Sequence, residues 1–236
     1  MTKTKNNQKV IVLLGSPGAG KGTQGELLAE SLHLFYFETS RILEEIFKGA
    51  KKGEAFKIEG KTFKVSHEKK LWETGKLCDP PFVTLLVKKR IKELAKEGKG
   101  LVLSGSPRTI YEGERIVPLL KKLYQPKNIK LVLLEISPKE TLFRNSHRRI
   151  CQLMRHPILF SKETENLRHC PLDGSRLLKR KGLDDLETIK TRIEEYKERT
   201  YPLIDYFKRE RLKVVKVNGS PPPAKVFSQI LKKLNF

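Results

Sequence analysis

Nine residues near the start of the chain constrain it more than any others. They read Gly15-Ser16-Pro17-Gly18-Ala19-Gly20-Lys21-Gly22-Thr23 and directly follow the apolar run Val10–Leu14. The run has the character of a buried strand, and Lys21–Ser31 reads as the helix after it. Glycines between a strand and a helix let the backbone wrap closely around phosphate oxygens with its N–H groups pointing inward. The start of the helix adds its positive dipole end. A lysine here reaches the β- and γ-phosphates, and a nearby hydroxyl ligates Mg²⁺. The usual phosphate loop has Ser or Thr straight after the lysine, whereas here Gly22 intervenes before Thr23. A glycine-rich turn with a chance lysine is the competing reading, and the flanking strand and helix count against it. Gly18, Ala19, Gly20, Lys21, Gly22 and Thr23 are therefore the candidate triphosphate site, with Thr23 as the Mg²⁺ ligand.

The rest of the chain alternates short apolar strands with helical patterns. Strands are expected at Leu34–Phe37, Leu101–Ser104, Leu131–Ile136 and Leu212–Val217. Helices are expected at Arg41–Phe47, Phe82–Lys96, Glu112–Tyr124, Pro138–His147 and Ala224–Leu234. One long amphipathic helix should follow Asp184, carrying Ile189, Ile193, Tyr196 and Tyr206. Such alternation implies an α/β fold, a parallel sheet with helices on both faces. Two stretches break the rhythm, residues 48–70 and 151–181. Both are long for connections in a compact domain and read as small subdomains inserted into one core.

Composition narrows the classes of partner. The 236 residues carry 49 Lys and Arg against 27 Asp and Glu, a formal net charge of +22. That excess suits polyanions: nucleic acid, a membrane surface or phosphorylated small molecules. No stacking-aromatic platform or helix-turn-helix pattern accompanies it, so no dedicated nucleic-acid partner is expected. The longest apolar runs fall far short of the ~20 residues of a spanning helix. The polar start does not resemble a secretory signal, and three cysteines fit a reducing compartment. A soluble, cytoplasmic protein without a membrane partner is the expectation.

Further motifs carry a family resemblance. Gly15–Thr23 followed by Gln24 resembles the phosphate loop of adenylate kinases and related nucleoside monophosphate kinases. Gly75-Lys76-Leu77, then Val83, resembles the segment bordering the monophosphate base. Gly105-x-Pro107-Arg108-Thr109 resembles the family signature, and Arg144 with Arg148-Arg149-Ile150-Cys151 the entry to its lid. Asp184, Glu187-Thr188 and Arg192 resemble the lid exit, and Val217-Asn218-Gly219 the loop at the ATP adenine. The resemblance implies a three-layer P-loop NTPase fold with two inserts. The core would span 1–38, 76–149 and 184–236, the NMP-binding subdomain 39–75 and the lid 150–183. It implies reversible transfer, ATP + NMP ⇌ ADP + NDP, with Mg²⁺ travelling with ATP and a monomeric enzyme. Lys21, Arg108, Arg144, Arg148 and Arg192 would be the catalytic cations, with Arg144 also binding ATP. Thr39, Lys76, Leu77, Cys78, Gly105, Arg108, Glu112, Lys181 and Arg192 would hold the monophosphate. At Lys181, neighbouring Arg180 competes for the role.

The chain departs from the pattern on the monophosphate side. The family's Thr-Gly-Asp is Thr39-Ser40-Arg41, and the phosphate-binding arginine that should follow is Glu44. Two residues of its Asp-Gly-Phe-Pro-Arg signature are Ser104 and Ser106. Arg41, three residues before Glu44, would share a helix face with it and compensate its charge. The lysines of 48–70 would either replace lost positive charge or form a solvated insertion. Glu112 stands where the family has an adenine-reading glutamine. A carboxylate only accepts hydrogen bonds, which favours AMP, admits CMP or GMP and disfavours UMP. These departures leave a noncatalytic ATP-binding homologue as the alternative to an active adenylate kinase. In the lid, many relatives hold structural zinc in two C-x-x-C pairs. Here the pairs read Cys151-x-x-Met154 and Cys170-x-x-Asp173. Cys151, Cys170 and Asp173 suit zinc and a thioether does not, so His156 or His169 would supply the fourth donor. The other reading is a lid held by ordinary packing.

Overall fold

The computed structural model describes residues 8–155, 157–179 and 184–236. In chain order the elements are β1 (Val10–Gly15), α1 (Lys21–Ser31), β2 (Phe35–Glu38) and α2 (Thr39–Gly49). Next come β3 (Ala55–Ile58), β4 (Lys61–Lys64), α3 (Val65–Glu73), α4 (Pro80–Lys96), β5 (Leu101–Ser104) and α5 (Ile110–Tyr124). Then follow β6 (Ile129–Glu135), α6 (Pro138–Ser146), β7 (Arg149–Cys151), β8 (Pro157–Ile158) and β9 (Leu177–Leu178). Last are α7 (Leu186–Glu195), α8 (Leu203–Arg209), β10 (Val214–Asn218) and α9 (Pro223–Leu234).

Five strands form one parallel sheet in the order β10-β6-β1-β5-β2. β1 sits at its centre, pairing Val12 with Leu103 on one side and Leu131 on the other. A strand covered on both faces must be apolar along its whole length, which is why Val10–Leu14 shows no alternation. Its side chains divide between two cores. Val10, Val12 and Leu14 pack with Phe82, Val87, Ile116 and Phe207 from α4, α5 and α8. Ile11 and Leu13 pack with Leu28 of α1 and Val226 and Ile230 of α9. The result is the expected α/β fold, three layers with helices on both faces of a parallel sheet.

Two smaller sheets stand apart from this one. β3 and β4 form an antiparallel hairpin, and β7 pairs with both β8 and β9. The hairpin turns at Glu59-Gly60, both with positive φ, the twist a two-residue hairpin requires. Phe56, Ile58 and Phe63 turn toward the core, while the eight lysines of 48–70 are all exposed. The single long helix expected after Asp184 is instead two. A π-helical turn, Tyr196–Thr200, follows α7, and α8 starts only after Pro202. Proline has no N–H to donate, so the helical ladder cannot run through it.

Where α3 meets α4, the Glu68 carboxyl is fully buried and accepts from the Asp79 backbone N–H at 2.8 Å. Burial raises its pKa from 4.5 to about 7, with Asp79 adding repulsion. A carboxyl so raised supports the fold fully below its unfolded pKa and loses that contribution as the pH climbs through about 7. Glu68→Gln keeps the acceptor and removes the titration. The variant should match wild-type stability near pH 4.5 and exceed it by about 1–3 kcal/mol at pH 8. Urea unfolding at the two pH values checks this.

Candidate active site

The phosphate loop lies at the carboxyl end of β1, against one large cavity of about 660 Å³. Its backbone conformation is the kind glycine supplies. Gly18 and Gly20 have φ of 83° and 91°. A Cβ at Gly18 would also lie 2.6 Å from Asn145 Nδ2, so that position is excluded to side chains on two counts. Lys21 Nζ donates to the carbonyls of Gly15 at 2.7 Å and Ser16 at 2.8 Å, which holds it over the loop. Gly22 and Thr23, at the start of α1, line the same cavity.

The four arginines singled out in the sequence reach this cavity from four different segments. Arg108 comes from the loop after β5, Arg144 from α6, Arg148 from the residues before β7, and Arg192 from α7. Arg144 is the most firmly held. Its guanidinium donates to the carbonyls of Gly219 and Ser220 at 3.0 and 2.9 Å and pairs with Glu140 at 2.6 Å. It thereby ties α6 to the loop between β10 and α9. Arg192 lies 3.9 Å from the buried Asp184 carboxylate. Lys76, Leu77 and Gly105 complete the expected wall. Lys21 and these four arginines, with Arg41, Lys76 and Arg155 on the same wall, form a site for a multiply charged anion.

Other expectations meet a different structure. Glu112 is not brought to the cavity: it is buried and works at the start of α5. Thr109 accepts from the Glu112 N–H, and the Glu112 carboxylate accepts from the Arg108 N–H at 3.1 Å and the Thr109 hydroxyl at 3.3 Å. Thr-x-x-Glu is a capping-box spacing, and these hydrogen bonds engage the side chain at the helix start. Burial raises its pKa, against the pull of those hydrogen bonds. Thr39 and Cys78 are also buried behind the wall. Thr39 donates to Ser106 Oγ at 3.0 Å, and burial pushes the Cys78 thiol up to about 12. Lys181 and Arg180 lie outside the described residues, as does His156. Arg41 lines the cavity but is not paired with Glu44. It is held by Glu38 and Glu26 at 2.9 and 3.0 Å. None of the eight lysines of 48–70 lines the cavity.

Sequence reasoning missed an aromatic cluster on the cavity wall. Phe143, His147 and Phe160 pack ring to ring, with centroids 4.4–5.7 Å apart. The helical spacing of Phe143 and His147 could have announced half of it, whereas Phe160 arrives by tertiary folding alone. Further out, one ligand atom each from Cys151, Cys170 and Asp173 lies within 4.8 Å of the others. The Cys151 thiol donates to Asp173, holding that carboxyl well below the usual range. Met154 points into solvent.

Comparison with known proteins decides the family. A profile described as adenylate kinase matches residues 13–212. The chain belongs to the adenylate kinase family. It is 34% identical to the adenylate kinase of Caldicellulosiruptor bescii, over 96% of this chain and 99% of that one. It is 30% identical to those of Chlamydia trachomatis serovar D and Methanothrix thermoacetophila, over 95% of this chain and 89% and 98% of theirs. It is thus a phosphotransferase, and adenylate kinases use Mg²⁺ with ATP. No helix among the described residues is long and apolar enough to cross a membrane.

The cap at α5 makes a prediction within this family. Glu112→Ala should cost about 1 kcal/mol of stability in urea unfolding, the usual value of a helix cap. The ratio of activities on AMP and UMP should stay unchanged, because the side chain faces helix and not base.

Proposed function

We propose that the protein is an active adenylate kinase, catalysing ATP + AMP ⇌ 2 ADP. The observation that carries the reading is the convergence of Lys21, Arg108, Arg144, Arg148 and Arg192 on one cavity beside the phosphate loop. An AMP phosphate oxygen attacks the γ-phosphorus of ATP in line. A new P–O bond forms as the bond to the β-phosphate oxygen breaks, and ADP leaves on both sides. Charge spreads over the equatorial oxygens, so positioned cations do most of the work. Lys21 and the loop N–H groups hold the β- and γ-phosphates, and Arg108 and Arg192 hold the monophosphate. Arg144 and Arg148 face the transferred group. Mg²⁺ would neutralise the charge that develops on the phosphates during transfer. The Thr23 hydroxyl, on the cavity wall, is its protein ligand in this reading.

The rings of Phe143, His147 and Phe160 offer the ATP base a stacking surface next to Arg144. Residues 39–75 act as the monophosphate subdomain and 150–183 as the lid, whose closure keeps water from competing for the phosphoryl group. Cys151, Cys170 and Asp173 supply three of the four donors of a structural zinc site. Metal analysis of untagged protein decides between two bases for the lid. About one zinc per chain means an ion; none means a lid held by ordinary packing.

One coupled assay of ATP with AMP, CMP, GMP and UMP tests the function. AMP should be the best acceptor. Lys21→Ala should lower kcat/KM by roughly 100-fold or more, the usual effect of removing a transition-state charge. Turnover no higher than that of Lys21→Ala for every acceptor would make the chain a noncatalytic nucleotide binder.

A further inference from the structure

Glu44 takes the place of a cation in its family and has a partner of its own. Its two carboxylate oxygens accept from Arg155 Nη1 and Nη2 at 3.0 and 3.2 Å. The partners lie 111 positions apart. One stands on α2, the other on the turn between β7 and β8. Arg155 also lines the nucleotide cavity, and so does Leu43, the neighbour of Glu44. The pair therefore spans the mouth of the cleft between the two small units that flank it.

Three observations mark it as more than a chance surface contact. The guanidinium meets the carboxylate fork to fork, the geometry in which Arg outperforms Lys. Glu44 has only 15% of its side chain exposed, so water screens the pair less than a fully solvated one. Arg155, moreover, is a non-glycine residue with φ of 60°, in a turn closed by its N–H to the Cys151 carbonyl at 3.1 Å. A strained position that persists in a side-chain-bearing residue invites a functional reason. Here the strain aims the side chain at α2. Arg41, the nearer arginine in sequence, is already taken up by Glu38 and Glu26.

We propose that Glu44 and Arg155 form a latch that holds the β7–β9 unit closed against α2, with Arg155 as a positioning residue for phosphoryl transfer. The inference rests on the adenylate kinase reading for its kinetic consequence, not for its geometry. A bidentate pair of this exposure shifts the closed-to-open ratio by about fivefold.

The test uses the full chain and two readouts. Spin labels at Lys48→Cys on α2 and Leu172→Cys on the far unit report the distance across the cleft without turnover. Glu44→Arg and Arg155→Glu should each broaden and lengthen that distance, and Arg155→Glu should raise the apparent KM of both nucleotides about fivefold. The double exchange should bring both readouts back to within about twofold of wild type. Arg155→Gly relieves the positive φ, so it should keep the melting temperature while lengthening the distance as Arg155→Glu does. Unchanged distances in the single variants would overturn the latch, and so would a double exchange whose effects simply multiply. An inactive wild type would sink the kinase reading, and the distances alone would then decide the latch.

Discussion

The parallel pairing of β1 between β5 and β6 is the constraint on which the rest depends. Because all five strands point the same way, their carboxyl ends open onto one edge. The phosphate loop leaves β1 there, the Gly105–Arg108 loop leaves β5, and α6 with Arg144 follows β6. The Gly219–Ser220 turn after β10 arrives at the same edge and holds the Arg144 guanidinium. A one-residue slip of β1 would turn Ile11 and Leu13 into the wrong core and carry the loop away from its partners. Fold and site share one register.

Charge is used in two ways. Most of the basic excess lies in water, as the exposed lysines around the β3–β4 hairpin show. A few cations are held by carbonyl oxygens and carboxylates facing the cavity, where fixed geometry makes a charge effective. The buried acids serve structure. Glu68 steadies the start of α4 and Glu112 the start of α5, while the only partly buried Glu44 reaches across the cleft.

Much of the fold was legible from local pattern. The apolar run of β1, the helical spacing of α4 and the alternation of strands with helices predict a parallel three-layer sheet. The phosphate loop was legible because its requirements are backbone requirements, and glycine and proline state those in sequence. The long helix after Asp184 was misjudged, because its apolar periodicity continues across Pro202 while its hydrogen-bond ladder does not. The aromatic cluster was legible only in its helical half.

The sequence alone determined the family, the phosphate loop and the set of cations available to it. These depend on residue type and on contacts within a few positions. Only the tertiary structure decided which carboxylate each cation meets. It set Arg41 against Glu26 and brought Arg155 to Glu44. A side chain's partner is chosen by distance and desolvation after the chain has folded, and spacing along the chain does not encode either across 111 positions.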